Sequence, residues 1–122
     1  MIKTPEEIDV YDNETPFVYI FVREDLPPIQ QLIQASHATH ESGIKFGKIE
    51  DKISHFCVFG VPDEKSIKNI KVGLDGLDVR SYEFFEPDFN IGISALATEP
   101  IIGKKRELFS DFKLLKMKRG WF

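Results

Sequence analysis

Two apolar segments constrain the fold of this chain more than any other feature. Residues 17–22 read FVYIFV and residues 55–61 read HFCVFGV, so both parities of each segment are largely apolar. A strand with one face in water alternates apolar and polar residues, whereas a continuous apolar run is typical of an interior strand covered on both faces. Between the two segments, Pro27 and Pro28 fit only the first turn of a helix, and Gly43 is placed to end it. The pattern predicts an α/β domain with helices on both faces of a mixed sheet.

The apolar spacing in this first helix predicts which of its faces is buried. Ile29, Leu32, Ile33 and Ser36 stand at positions i, i+3, i+4 and i+7, which lie on one side of a helix. His37 follows Ile33 by four residues, at the edge of that face and near the predicted C-terminus of the helix. A helix C-terminus favours a positively charged side chain, so this end suits a histidine that exchanges protons.

The rest of the chain predicts a second helix, two more strands and a closing helix. Pro62 opens a helix that carries Ile67, Ile70 and Val72 and ends at Gly73. Strands follow at residues 77–85 and 91–98, and an amphipathic helix at residues 104–112. The predicted order is therefore β-α-β-α-β-β-α around a four-stranded sheet.

The composition predicts one folded domain that does not cross a membrane. The chain has 122 residues, of which 42% are hydrophobic and 30% are charged, and its longest apolar run is far too short to span a bilayer. Its single cysteine, Cys57, lies within an apolar strand, so we expect a small buried hydrophobe in a reducing, cytoplasmic protein. We divide the chain into an acidic arm at residues 1–15, a domain at 16–115 and a basic, aromatic tail at 116–122.

Charge is unevenly spread along the chain. The net charge is −4, yet residues 104–119 hold seven basic side chains against Glu107 and Asp111. A polyanion such as RNA would therefore bind at Lys104, Lys105 and Arg106, unless these residues form only a solvated basic surface. The acidic arm is the segment that a protein partner would use.

A second candidate for chemistry lies just after the third predicted strand, at Glu86-Pro87-Asp88. Pro87 ends the strand, so two carboxylates flank a rigid turn at a sheet edge, where open α/β sheets bind ligands. Glu86 or Asp88 is a candidate general base, and His37 a candidate general acid across a shared cleft. The alternative is structural: a strand-ending turn and a histidine bonded to the backbone.

A metal site is a further alternative that the spacing leaves open. His37, His40 and Glu41 lie within reach of one ion, to which Glu86 or Asp88 would add oxygen ligands. The spacing differs from the His-Glu-x-x-His pattern of zinc proteases. Our prediction is that the protein uses no metal and no cofactor.

Five short motifs, in order, resemble the type II peptidyl-tRNA hydrolase family. The strand that ends in Arg23-x-Asp25-Leu26 and the QASHA segment at residues 34–38 are similar to that family's first strand and helix. The similarity continues through VPDE at residues 61–64, SALATEP at 94–100 and the segment 108–115. The Glu-Pro-Asp turn looks most like a divergent branch found in phages and prophages.

The resemblance implies a fold, an activity and a set of residues. The fold is a four-stranded mixed sheet flanked by helices, often in a homodimer. The activity is hydrolysis of the ester between a peptide and the 3′ ribose of tRNA. Gln34, Ser36 and His37 match family positions, and Glu86 can stand for a family aspartate. With the basic residues, the expected substrate-binding set is Arg23, Gln30, Gln34, Ser36, Asn90, Ser94, Lys104, Lys105 and Arg106.

One departure from the family pattern supports a different function. Gln30 stands where the family has a catalytically important lysine, and a missing ammonium leaves a developing oxyanion without its partner. The alternative is therefore a non-catalytic module that keeps the fold and binds RNA, a nucleotide or a protein.

Overall fold

A computed structural model describes residues 13–116 of the chain. Most of the predicted arm (residues 1–12) and most of the predicted tail (117–122) lie outside the described residues. The strands are β1 (Phe17–Arg23), β2 (His55–Val61), β3 (Ser81–Glu86) and β4 (Gly92–Thr98). The helices are α1 (Pro28–Phe46) and α2 (Glu64–Gly76), and two 3₁₀ segments occupy Asp88–Asn90 and Gly103–Phe109.

The four strands form one mixed sheet in the order β2-β1-β4-β3. β1 runs parallel to β2 and antiparallel to β4, which is also antiparallel to β3. The prediction of an interior β1 is confirmed, but β2 lies at one end of this order. The outer edge of β2 pairs with the end of the described chain, where the Leu115 N–H donates to Val58 O at 2.9 Å.

Helices cover both faces of the sheet, as predicted. On one face, Tyr19, Phe21 and Leu96 pack with Ile67 and Leu74 of α2. Phe109 joins this face, and its ring stacks on that of Tyr19 with centroids 3.9 Å apart. On the other face, Val18, Ile20, Val22, Ala95 and Ala97 pack against Ala38 of α1. Among residues 13–116, no helix is long and apolar enough to span a membrane.

Helix α1 is longer than predicted. It continues past Gly43 to Phe46 and ends at Gly47, whose φ of 71° is the left-handed conformation that favours glycine. The Gly47 N–H donates to Gly43 O at 3.0 Å and closes the last turn. His37 therefore lies in the middle of the helix, and the argument from a helix C-terminus was wrong.

The predicted buried face of α1 was also wrong. Ile29, Leu32 and Ile33 are 53%, 48% and 38% exposed, and Ser36 is exposed as well. The helix instead buries Gln31, Gln34, Ala38 and Ser42 against the sheet. Apolar spacing fails here because small residues of β4 leave room above the sheet, where Gln34 bonds to Glu86 and Ser94 and Ser42 bonds to Thr98 O.

Three further boundaries differ from the predictions. Helix α2 passes Gly73 and leaves Val72 on its outer side, 72% exposed. Strand β3 starts at Ser81 and not at residue 77, because the preceding residues close the end of α2, with the Val79 N–H donating to Leu74 O at 2.9 Å. The predicted closing helix is a 3₁₀ segment that ends at Phe109.

Candidate functional site

A hydrogen bond joins the two motifs that sequence reasoning placed in one cleft. Nε2 of Gln34, in α1, donates to Oε1 of Glu86, at the end of β3, over 2.9 Å. The two residues are fifty-two positions apart in the chain. Their contact holds α1 against the C-terminal end of β3, beside the turn that follows Glu86.

Gln34 is the centre of a small polar network. Its Oε1 accepts the Ser94 hydroxyl at 2.6 Å, and its Nε2 also donates to Oε1 of Gln30 at 3.1 Å. Gln34 and Ser94 are fully buried. Because both ends of the Gln34 amide have partners, its orientation is fixed and it holds the Glu86 carboxylate in place. One hydrogen-bonded network therefore joins Gln30, Gln34, Ser94 and Glu86. The sequence named these four residues as candidates for the site, but it did not predict the bonds between them.

His37 lies beside this network but does not bond to it. Its ring stacks on that of Phe84, with centroids 4.5 Å apart and planes 4° from parallel. Phe84 precedes Glu86 by two residues in β3, and His37 follows Gln34 by one helical turn. The exposed His37 ring and the Glu86 carboxylate are therefore both on the face of the sheet that α1 covers.

The turn after Glu86 forms one wall of a cavity. A cavity of about 320 Å³ lies between this turn and the start of α1, lined by Leu26, Pro27, Gln30, Phe89 and Ile91. Phe89 is 86% exposed and has a φ of 56°, a left-handed conformation that bulky side chains rarely adopt. Sequence reasoning missed Leu26, Pro27 and Ile91, because only the folded chain brings them together.

The other candidates on this turn point outward. Asp88 and Asn90 are exposed, and Asn90 also has a positive φ of 55°. Asp88 uses its backbone carbonyl to accept the Ile91 N–H at 3.2 Å, which shapes the turn. Of the two predicted carboxylates, Glu86 is the one that the network holds.

Arg23 has partners that differ from those expected of a phosphate-binding residue. Its Nη1 donates to Ile91 O at 2.6 Å and Ile93 O at 3.2 Å, and its Nε and Nη2 donate to the Asp25 carboxylate. The side-chain hydrogen bond to Asp25 raises the pKa of Arg23 above its usual value. These hydrogen bonds occupy most of the N–H donors of the guanidinium, and the bonds to Ile91 and Ile93 join the end of β1 to the start of β4.

Ser36 and the basic cluster do not join the network. Ser36 lies on the outer side of α1 and donates to Leu32 O at 2.8 Å. Lys105 donates to Asp78 O at 3.0 Å, and the Arg106 guanidinium carbon lies 5.3 Å from the centroid of the Phe17 ring. Phe17 starts β1 and Arg23 ends it, about 20 Å away at 3.3 Å per residue. Arg23 and Arg106 therefore lie toward opposite ends of β1 and are not side by side.

Acidic side chains surround the end of the sheet that holds Glu86. Oε2 of Glu64 accepts the Ile93 N–H at 2.7 Å and lies against Gly92, whose φ is 79°. The Ser66 N–H bonds to Asp63 and lowers the pKa of that carboxyl. No lysine or arginine among residues 13–116 forms an ion pair with Glu86. The site therefore presents a carboxylate beside an apolar-walled cavity.

Neither a metal site nor a reactive thiol is apparent in the described chain. Residues 13–116 contain no group of three or more His, Cys, Asp or Glu side chains placed to share an ion, so the metal-assisted alternative has no donor set there. Burial raises the pKa of the half-buried Cys57 thiol, which makes it less reactive.

The chain matches no model of a protein family, and no curated protein is similar to it.

Proposed function

We propose that the chain is an ester hydrolase of the peptidyl-tRNA hydrolase type, with Glu86 as its general base. The observation that carries the proposal is the Gln34–Glu86 hydrogen bond, which unites the QASHA motif with the Glu-Pro-Asp turn. A carboxylate that is held by a buried amide and has no cationic partner among residues 13–116 is suited to accept a proton from water.

In the proposed reaction, Glu86 and His37 exchange protons with the water and the substrate. Glu86 accepts a proton from a water molecule, whose oxygen attacks the carbonyl carbon of the ester. The bond between that carbon and the ribose 3′ oxygen breaks, and the imidazolium of His37 donates the proton to the leaving oxygen. The products are a free peptide carboxylate and a tRNA with a 3′ hydroxyl. Proton transfers of this kind contribute about 10²- to 10⁴-fold each to a rate.

A second cavity, of about 280 Å³, lies at the far end of the sheet from Glu86 and carries a small excess of positive charge. Its lining includes Lys45, Lys71 and Arg80 together with Asp75 and Asp78. Lys71 forms an ion pair with Asp75, and Arg80 forms one with Glu99. Along α1, Lys45 lies about 16 Å from Gln34 at 1.5 Å per residue. A substrate with its ester at one end and phosphates about 16 Å away would contact both regions, as an RNA acceptor end does.

Hydrolysis of labelled peptidyl-tRNA tests the proposal. We expect release of peptide by the wild-type protein and a loss of at least about 100-fold in Glu86→Gln, which keeps the shape but not the basicity. His37→Ala should lose activity while keeping its circular dichroism spectrum. Val72→Ala is the matched control, because Val72 is 72% exposed on α2, on the other face of the sheet, and it should keep activity within about twofold. No release by the wild-type protein at high concentration would reject hydrolysis.

A second candidate is a binding module without catalysis, and the contacts of Arg23 favour it. With Arg23 bonded to backbone carbonyls and Gln30 in place of lysine, no cation beside the described cavity remains for a developing oxyanion. This module would bind RNA through its basic end. RNA affinity that falls steeply with salt in a protein without hydrolytic activity would establish it, and a flat salt response would reject it.

A further inference from the structure

A cavity of about 270 Å³ lies between the C-terminal part of α1 and the loop that leads into β2. Its lining includes Gly43 of α1, Lys48 and Lys52 of the loop, and the register partners Val18 and Phe56 of β1 and β2. Helix α1 makes its main contacts with β4, β3 and β1, so this face of β2 is left open. As a result Phe56 is 61% exposed, although it lies in a strand of the core sheet. We call this space the α1–β2 cavity.

An apolar groove continues the α1–β2 cavity along the helix toward Leu32. The groove has a volume of about 380 Å³ and shares Thr39 and Phe56 with the cavity, so the two spaces adjoin. From Leu32 to Gly43 the helix rises about 16 Å, which gives the length of the combined space. Sites for small molecules commonly have volumes of about 300 to 1,000 Å³. Cavity and groove together are therefore large enough for one small molecule.

The hydroxyl groups that α1 brings to this space already have acceptors. Ser36 and Thr39 donate to carbonyl oxygens of α1, at 2.8 and 2.7 Å. Ser42 donates to Thr98 O at 3.3 Å. The outer edge of β2 is paired with residues 113–115, so a peptide cannot add there as a further strand. A peptide in the groove would leave its backbone groups without partners, whereas a hydrocarbon chain needs none.

Positive charge is concentrated at one end of this space. Lys48 and Lys52 line the cavity, whereas the described lining of the groove includes no lysine or arginine. Lys48 forms no ion pair among the described residues, and Lys52 forms one at 3.4 Å with Glu14, whose side chain is 77% exposed. The acidic residues of the same loop, Glu50 and Asp51, are exposed and do not line the cavity. Two ammonium groups are therefore placed to bind an anionic head group.

We propose that the α1–β2 cavity and the groove bind a free single-chain carboxylate. Its head group bonds to Lys48 and Lys52, and its hydrocarbon chain follows α1 toward Leu32 and covers the exposed ring of Phe56. A single chain fits better than a membrane surface, because the space is a concave groove between one helix and one strand, whereas membranes bind the outward apolar face of a helix. The site is distinct from that of Glu86, which lies on β3 at the other edge of the sheet, and the inference is independent of ester hydrolysis.

Isothermal titration calorimetry of the full chain with sodium decanoate, below its micelle-forming concentration, tests the proposal. We expect binding that tightens about fourfold with each added methylene from octanoate to dodecanoate, because each buried methylene contributes a similar free energy. Decyltrimethylammonium has the same chain with a cationic head and should bind at least about tenfold more weakly. The proposal is overturned if decanoate does not bind, if the two head groups bind equally, or if the protein binds only to phosphatidylglycerol vesicles.

Two pairs of variants locate the bound carboxylate. Lys48→Glu should weaken decanoate binding at least about tenfold, whereas Lys65→Glu, at an exposed lysine of α2, should change it by less than about twofold. Gly43→Leu should fill the cavity and abolish binding while the helix is kept, because a side chain there meets no other atom within 4 Å and leucine is the better helix former. Gly73→Leu, at a helical glycine of α2 with the same free space, is its matched control and should bind normally. Unchanged affinity in Gly43→Leu, or an equal loss in both members of either pair, would refute the inference.

Discussion

Replacing Gln34 by alanine should destabilise the fold more than any other polar substitution in α1. The Gln34 amide donates to the Glu86 carboxylate at 2.9 Å and accepts the Ser94 hydroxyl at 2.6 Å. A hydrogen bond to a charged group contributes about 1.5 to 3 kcal/mol, and a neutral one about 0.5 to 1.5 kcal/mol. Because Ser94 is fully buried, its hydroxyl would lose this acceptor without gaining water. The expected loss is therefore about 2 to 4 kcal/mol, a large share of the 5 to 15 kcal/mol that stabilises most domains.

Urea denaturation at neutral pH, followed by circular dichroism, measures this loss. Gln34→Ala should unfold at a lower urea concentration with an unchanged slope. Ser36→Ala, two residues along on the exposed side of the same helix, should change the free energy of unfolding by less than about 0.5 kcal/mol. This pair of variants separates the buried network from any general effect of alanine in α1.

A double-mutant cycle tests the mechanism behind the loss. The combined variant Gln34→Ala, Ser94→Ala should be less destabilised than the sum of the single variants, with a coupling energy of about 0.5 to 1.5 kcal/mol. The reasoning fails if Gln34→Ala costs less than about 1 kcal/mol, or if the coupling energy is zero. Either result would mean that the Gln34 amide does not bridge Ser94 and Glu86.

Three further predictions follow from single contacts. Burial raises the pKa of Tyr19 to about 12 from 10.0. The buried, neutral hydroxyl therefore stabilises the folded state fully below about pH 10, and this stabilisation is lost as the pH rises toward 12. Alkaline urea titrations should show this loss of about 2 kcal/mol in the wild-type protein but not in Tyr19→Phe. Gly92→Ala should lower the free energy of unfolding by about 2 to 4 kcal/mol, because the φ of Gly92 is 79° and the new methyl group would displace the Glu64 carboxylate. An unchanged free energy of unfolding would contradict that geometry. Arg23→Lys should lower the free energy of unfolding by about 1 to 3 kcal/mol, because a lysine cannot reproduce the bonds to Ile91 and Asp25. Thermal unfolding measures this change, and an unchanged melting temperature would argue against this role of Arg23.

The sheet could be predicted from sequence because its strands satisfy a simple rule. Residues 17–22 are apolar on both parities, and the structure places β1 between two other strands with packed side chains on each face. His55–Val61 was predicted with the boundaries that the structure shows. What failed was the position of β2 in the sheet order, because an apolar run does not distinguish a central strand from one whose edge is covered by a later segment.

The candidate site was predictable only in part. The contact between the helix motif that contains Gln34 and the Glu-Pro-Asp turn was expected from the sequence, because both motifs adjoin strands of one sheet. The middle position of His37 in α1 was not expected, because Gly43 looked like a helix end and Gly47 was not considered. Nor could the sequence show that Arg23 bonds to two carbonyls of β4, since these contacts exist only after the antiparallel strands have paired.

The rotation of α1 exchanges apolar burial for the polar network. Turning Gln34 toward the sheet builds the network around Glu86, but it also turns Ile29, Leu32 and Ile33 outward. Burial of a leucine or isoleucine contributes about 1.5 to 3 kcal/mol, and these three side chains are about half exposed, so roughly 2 to 4 kcal/mol of apolar stabilisation is missing. The hydrogen bonds of Gln34 to Glu86 and Ser94 contribute a similar amount, so the polar network offsets the apolar burial that this rotation of α1 gives up.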